Sequence, residues 1–203
     1  MLTNLFEKVT KLKLEEAKQI AASIIDWRDD DSVLTEGGAE AGYYLTLKPA
    51  YHCKNAPFDT PDELLLVKGI SPLIYSRIKD YVTVYGGGRV NINTASFNVL
   101  LALGLSEGLA DKIIRFRAGK DEIEGTEDDN VITKEDELDS QLKRVVPLVE
   151  LEILLLKNLI ITDLITVESK YYRIIARGCV KNKIVEIICI VERGGNVVFW
   201  QEL

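Results

Sequence analysis

Two stretches of this chain gather oxygen donors densely enough to hold a cation. In DDDSVLTEGGAE, residues 29 to 40, Asp29, Asp31 and Glu40 fall at positions 1, 3 and 12, the spacing by which an EF-hand wraps oxygen ligands around Ca2+. The stretch departs from that motif at position 5, where Val33 offers only its carbonyl, and at position 6, where Leu34 replaces the expected glycine. It therefore reads as a related loop, with Asp26 as a candidate extra ligand. In DEIEGTEDD, residues 121 to 129, a Gly125-Thr126 turn is expected to fold Asp121 back toward Asp128 and Asp129, with the carbonyl of Ile123 between them. Clustered carboxylates repel one another, and a divalent cation removes that cost. All-oxygen donors without histidine or thiolate favour calcium over zinc. The expected metal ligands are thus Asp29, Asp31 and Glu40 in the first loop and Asp121, Asp128 and Asp129 in the second, with Ca2+ as a structural ion.

Catalytic chemistry finds little support. The single histidine, His52, stands beside Cys53, but there is no nucleophile-elbow serine, no phosphate-binding glycine loop and no second histidine for a relay. The three cysteines, Cys53, Cys179 and Cys189, fit neither a zinc site nor a disulfide framework. The expectation is a protein that is not an enzyme.

The cation loops flank a duplicated helical hairpin. In RVNINTASFNVLLALGLSEGLADKIIRFRAG, Thr94 reads as the N-cap of a first helix, Gly104 as its C-terminal stop, and Ser106 as the cap of a second helix burying Leu109, Ile113 and Phe116. The pattern repeats 35 residues upstream, where Gly69-Ile70-Ser71 aligns with Gly104-Leu105-Ser106. There Thr60-Pro61-Asp62-Glu63 forms a capping box with proline in the first turn. Helix-hairpin-helix elements that grip DNA present free amides, and a second glycine in the hairpin lets backbone approach phosphate. Here serine occupies that position and can satisfy the amides itself, which favours scaffolding.

Charge points the same way. Residues 61 to 118 hold seven Lys or Arg against five acids, whereas residues 120 to 140 hold ten acids against two lysines. With net charge −7 and a pI near 4.9, the chain lacks a basic footprint for a phosphate backbone. A helix-hairpin-helix DNA-binding module is the alternative reading. At 203 residues and 47% hydrophobic, the chain is long enough for one good core or two small ones, and its apolar runs are too interrupted by charge to span a bilayer.

Periodicity sets the layout. Residues 2 to 27 read as one or two helices burying Leu5, Val9, Leu12, Ile20 and Ile24, and Pro147 is expected to open a helix carrying Leu148, Leu151, Leu154 and Leu155. From about residue 163 the period becomes that of strands. ITVES, YYRIIARGCV, KIVEIICIVER and NVVFWQEL, with turns at Lys181-Asn182 and Gly194-Gly195, predict a three- or four-stranded antiparallel meander. The turn register would set Cys179 opposite Ile184 and keep it from Cys189. The fold class is therefore α+β: a helical, sterile-alpha-motif-like domain over residues 1–160 with two helix-hairpin-helix repeats, then β-strands over 161–203.

The order DWRDDD, GAEAGYY, PFDTPDELLLVKGIS, VNINTAS, VESKYYRIIARG and NVVFWQEL resembles general secretion pathway protein K, the large minor pseudopilin of type II secretion systems. VNINTAS alone also occurs in competence-type DNA receptors. The resemblance implies a pilin-like α/β core with a large inserted helical domain that carries calcium sites, placed at the tip of the pseudopilus in a structural and assembly role. It further implies minor pseudopilins of the I and J types as partners, with secreted substrate proteins as further candidates and no nucleic acid. The protein would be the periplasmic domain of an inner-membrane-anchored chain. The family's hydrophobic N-terminal helix, which is its membrane anchor, and its first core strands have no counterpart in these residues, so residues 163 to 203 are expected to be an incomplete core.

Overall fold

A computed structural model describes residues 1–181 and 183–202. Helix α1 (Leu2–Leu5) runs into a π-helical turn (Phe6–Thr10), and after a break at Lys11 helix α2 follows (Leu14–Arg28). Glutamates 15 and 16 open α2 and Arg28 closes it, which matches the helix dipole at both ends. Ala17, Ile20, Ile24 and Trp27, spaced three and four apart, form its buried stripe. The short helix α3 (Ala41–Tyr44) comes next.

The two segments read as hairpins each fold back on themselves, although the first opens on a 3-10 turn where an α-helix was expected. The first pairs a 3-10 turn (Pro61–Leu66) with α4 (Pro72–Ile78), and the second pairs α5 (Phe97–Ala102) with α6 (Glu107–Arg117). Gly69 and Gly104 take the same left-handed backbone, φ +86° and +94°, a conformation that suits glycine. A Cβ at Gly69 would lie 2.8 Å from Ile20 Cγ1, so this turn also needs glycine for packing. The two serines do what the sequence suggests: Ser71 accepts the Ile74 amide and Ser106 accepts the Leu109 amide, each at 3.2 Å. The N-cap of α5 is Ser96 and not Thr94. The reason lies in the preceding turn, which folds back so that the Thr94 and Ala95 amides both donate to the Asn91 carbonyl.

The copies sit in different hydrophobic clusters. Leu64, Val67, Ile70 and Ile78 join Phe6, Ile20, Ile24, Trp27 and Tyr44 in one. Leu100, Leu109, Ile113 and Phe116 join a second, completed by Ile132, by α7 (Leu138–Leu142) and by α8 (Glu150–Ile161). In α8 Leu156 and Leu159 face inward, with Leu155 packed partly against the same cluster, while Leu151 and Leu154 face solvent. The helix begins at Glu150, three residues after Pro147, and its leucines run nearly all round it, so sequence alone gave no phase.

The strands form two sheets. Strands β1 (Val90–Asn91) and β2 (Ile165–Thr166) pair in parallel, so ITVES lies outside the meander. Strands β3 (Tyr171–Val180), β4 (Lys183–Glu192) and β5 (Val197–Glu202) form the antiparallel meander, with a bulge at Ile190/Val191. Cys179 opposes Ile184 as expected, and Cys189 is buried against Trp200. The turn proposed at Lys181-Asn182 includes Asn182, and NVVFWQEL ends on Leu203; both residues lie outside those described. An exposed ion pair, Arg173 with Asp80 at 3.3 Å, and a Tyr85–Tyr171 ring contact link the meander to the helical region. Among the described residues no helix is long and apolar enough to cross a membrane.

Candidate metal centre

The first acidic loop begins where α2 ends. Asp29 leaves the helix in extended backbone, and Glu40 sits in extended backbone just ahead of α3. Between them the chain turns tightly, with the Gly38 amide donating to the Thr35 carbonyl at 2.8 Å. The turn is fastened from below by Asp26, which is fully buried and accepts the Thr35 amide at 3.1 and 3.3 Å. A Cβ on Gly38 would stand 2.1 Å from Asp26 Oδ2, so only glycine fits that position. Lys68 of the first hairpin reaches over and donates to the Gly38 carbonyl at 2.9 Å, and Asn55 donates to the Asp31 carbonyl.

These tethers bring Asp29, Asp31 and Glu40 together, with one carboxylate oxygen of each lying within 4.8 Å of the others. Calcium takes oxygen ligands at about 2.3–2.6 Å, so oxygens on opposite sides of one ion lie about 5 Å apart, and the cluster has the right span. Both Glu40 oxygens and Asp29 Oδ1 are buried without a hydrogen-bond partner. Burial, and then the Asp26 carboxylate, pushes Glu40 above the usual carboxylate range; burial, then Asp31 and Asp26, does the same to Asp29. Orphaned, mutually repelling oxygens converging on one point are a set that could hold a hard cation.

The second loop is arranged differently. Its turn does fold Asp121 and Asp128 together, but Asp128 spends its oxygens on the loop itself. Oδ2 accepts the Lys120 amide at 2.6 Å and the Asp121 amide at 3.2 Å, and Oδ1 accepts the Thr126 hydroxyl at 2.8 Å. Those bonds, led by the Lys120 amide, hold Asp128 below the usual carboxylate range. Asp121 Oδ1 accepts the Ile123 amide at 2.9 Å, and Asp129 Oδ2 accepts the Gly125 amide at 2.6 Å, leaving Asp129 Oδ1 as the loop's buried, unpartnered oxygen. The Ile123 carbonyl accepts from Thr126.

Two residues outside the acidic loops, Arg117 and Asn93, hold this region in place. Arg117, buried at the end of α6, donates to the carbonyls of Ala95 at 2.7 Å and Ile92 at 3.3 Å and pairs with Glu124 in the second loop. Asn93 donates to the carbonyls of Ile132 and Val167 and accepts the Ile132 amide. A buried arginine and an asparagine amid NINTAS are visible in sequence, but their partners lie up to 74 residues away. Arg115 pairs with Asp111 on the same helix at 3.0 Å. His52 is exposed, and Cys53 donates to the Asp26 carbonyl at 3.5 Å, with burial raising its thiol. Below the cation cluster, Trp27 and Tyr44 pack edge to face at 5.0 Å.

Residues 1–87 match the family model for the type II secretion system protein K. The type II secretion system protein K of Aeromonas hydrophila is 40% identical over 82 residues, covering 39% of this chain and 25% of that protein. That of Pseudomonas aeruginosa is 34% identical over 109 residues, covering 52% of this chain and 32% of that protein. The aligned stretches thus span about a third or less of these relatives. A chain in the crystal structure of the GspK–GspI–GspJ complex from the enterotoxigenic Escherichia coli type 2 secretion system superposes with a TM-score of 0.74 at 19% identity, covering 100% of this chain and 68% of that one. This likeness shows the fold along the whole chain, α+β with a helical body and a three-stranded antiparallel sheet. The first 87 residues, which carry the carboxylate cluster and the first hairpin, are thus similar to the type II secretion system protein K family.

Proposed function

We propose that the chain is the helical body and sheet of a minor pseudopilin, a non-enzymatic subunit that helps initiate and cap the pseudopilus of a type II secretion system. The observation that carries this reading is the family match over residues 1–87 together with a fold shared with a chain of the GspK–GspI–GspJ complex. Its partners are then minor pseudopilins of the I and J types, and its place is the periplasm, tethered to the inner membrane. The serine-capped hairpins serve as scaffold, because the amides that a phosphate would use are engaged at Ile74 and Leu109.

Asp29, Asp31 and Glu40 are the residues that would hold a calcium ion. Bound there, the ion would neutralise three facing carboxylates and cross-link the end of α2 to the start of α3. Lys68 and Asn55 keep the loop closed from the hairpin side, so the ion would stiffen the joint between α2 and the first hairpin. The decisive experiment is co-purification of the complete protein with the I- and J-type pseudopilins of the same system. A stable complex is expected. Failure of the complete, folded protein to associate with either would overturn the assembly role while leaving the calcium site to be judged by metal analysis.

A further inference from the structure

The meander shares no core with the helical body. Neither hydrophobic cluster includes a residue of β3, β4 or β5, and among the described residues no helix packs broadly against the sheet. A cleft of about 1010 Å3 lies between the two instead, walled by Tyr75 and Glu135 on the body and by Ile188, Ile190 and Phe199 on the sheet. The chain crosses from body to sheet once, through Glu168–Lys170. Asn91 of the body donates to the Ser169 hydroxyl at 2.8 Å, and on the sheet side the Arg193 amide donates to the Lys170 carbonyl at 2.7 Å while its guanidinium pairs with Glu168.

The second link is the loop of residues 79–89 between the two hairpins. Both of its contacts reach the start of β3: Asp80 pairs with Arg173 at 3.3 Å, in the open, and the Tyr85 ring meets that of Tyr171 at 5.6 Å. Just beyond Tyr85, Gly86, Gly87 and Gly88 all take positive φ, at +108°, +65° and +82°, and a Cβ on any of them would meet nothing within 4 Å. That stretch of the loop therefore packs against nothing and keeps the freedom of its glycines.

We infer that the loop 79–89 is a clasp, which holds the meander over the cleft in one position and, when its two contacts part, lets the sheet swing about Glu168–Lys170. An exposed ion pair contributes little and an aromatic pair only modestly more, so the clasp is weak enough to open. No core has to be broken for it to do so, because the sheet belongs to neither hydrophobic cluster. Opening uncovers Ile188, Ile190 and Phe199, which are half-buried in the closed position.

Amide nitrogen relaxation of the full chain, measured by NMR, tests this by giving the tumbling of body and meander separately. In the parent the two are expected to share one correlation time. In Asp80→Lys combined with Tyr85→Ala, the meander's correlation time falls below that of the body, while the amide shifts within each part are kept. Asp80→Lys alone loosens the meander partly, and adding Arg173→Glu, which restores an opposite pair, tightens it again. A parent whose meander already tumbles apart from the body overturns the inference, as does a double variant that still tumbles as one. Loss of the sheet's own shifts in the double variant also overturns it, since the contacts would then maintain the sheet and not its position, and so does an Arg173→Glu exchange that fails to tighten Asp80→Lys.

Discussion

The two acidic loops have similar composition and opposite internal economies of hydrogen bonding. In the second loop, backbone amides and a threonine hydroxyl point at the carboxylates, and Asp128 is accordingly more acidic than usual. In the first, amides hold Asp26 and one oxygen of Asp31, while Glu40 and Asp29 are left facing one another and become less acidic than usual. Acid count therefore does not separate the loops. What separates them is that the chain has left both Glu40 oxygens and Asp29 Oδ1 without donors.

The largest expected effect separates the loops by metal. Calcium at about a hundred times its dissociation constant stabilises by about 2.7 kcal/mol, which for a chain of this size raises the melting midpoint by roughly 5 to 10 °C over chelator. Glu40→Gln should abolish that response and, in chelator, melt above the parent, because it removes a repelling charge. A calcium response that survives Glu40→Gln would break the contrast at its root. Next in size, Asp128→Asn should lower the midpoint by the same amount with calcium and with chelator, since it deletes donors' acceptors and no ligand. A calcium-dependent loss in that variant would instead restore the second loop as a site.

A smaller effect lies in pH, measured by denaturation in chelator. Glu40, raised in the folded state, contributes stability below the ordinary glutamate range near 4.3 that is lost as pH rises through its folded value. Asp128, lowered, contributes stability above the ordinary aspartate range near 3.9 that is lost as pH falls through its folded value. Glu40→Gln should flatten the first limb and Asp128→Asn the second; an exchange of these outcomes would reverse the assignment of the loops. Smallest of all, fluorescence titration with duplex DNA near physiological salt should show no salt-sensitive affinity, with Arg115→Ala no different from the parent. Tight, salt-sensitive binding would mean that the acidic flanks fail to screen the hairpins.

How much of this was legible in sequence depends on how local the cause is. Positions 1, 3 and 12 of the first loop lie within one turn of chain, so Asp29, Asp31 and Glu40 could be found from spacing alone. The serine caps and positive-φ glycines of the hairpins are equally local. The orphaning of Glu40 was not legible, because it depends on Asp26 taking the Thr35 amide and Lys68 taking the Gly38 carbonyl. Nor was the self-satisfaction of the second loop, since the same letters would serve a ligand set. The inner face of α8 was not legible for a third reason: leucine on every side gives the helix no phase, and only contact with α7 and the second core cluster sets one.

Asn93 carries a consequence of a mechanical kind. The chain enters β1 from the helical body and leaves β2 toward the meander, and the two strands run parallel. Tension between the body and the meander thus pulls them along their axes from opposite ends, so their hydrogen bonds must fail together instead of one by one. Asn93 sits at that point, spanning Ile132 and Val167 with three bonds of 2.8 to 3.1 Å. Through its donation to the Val167 carbonyl at 3.1 Å it adds a side-chain rivet, loaded in shear, to the two backbone bonds by which Val90 and Ile92 hold Leu164 and Thr166.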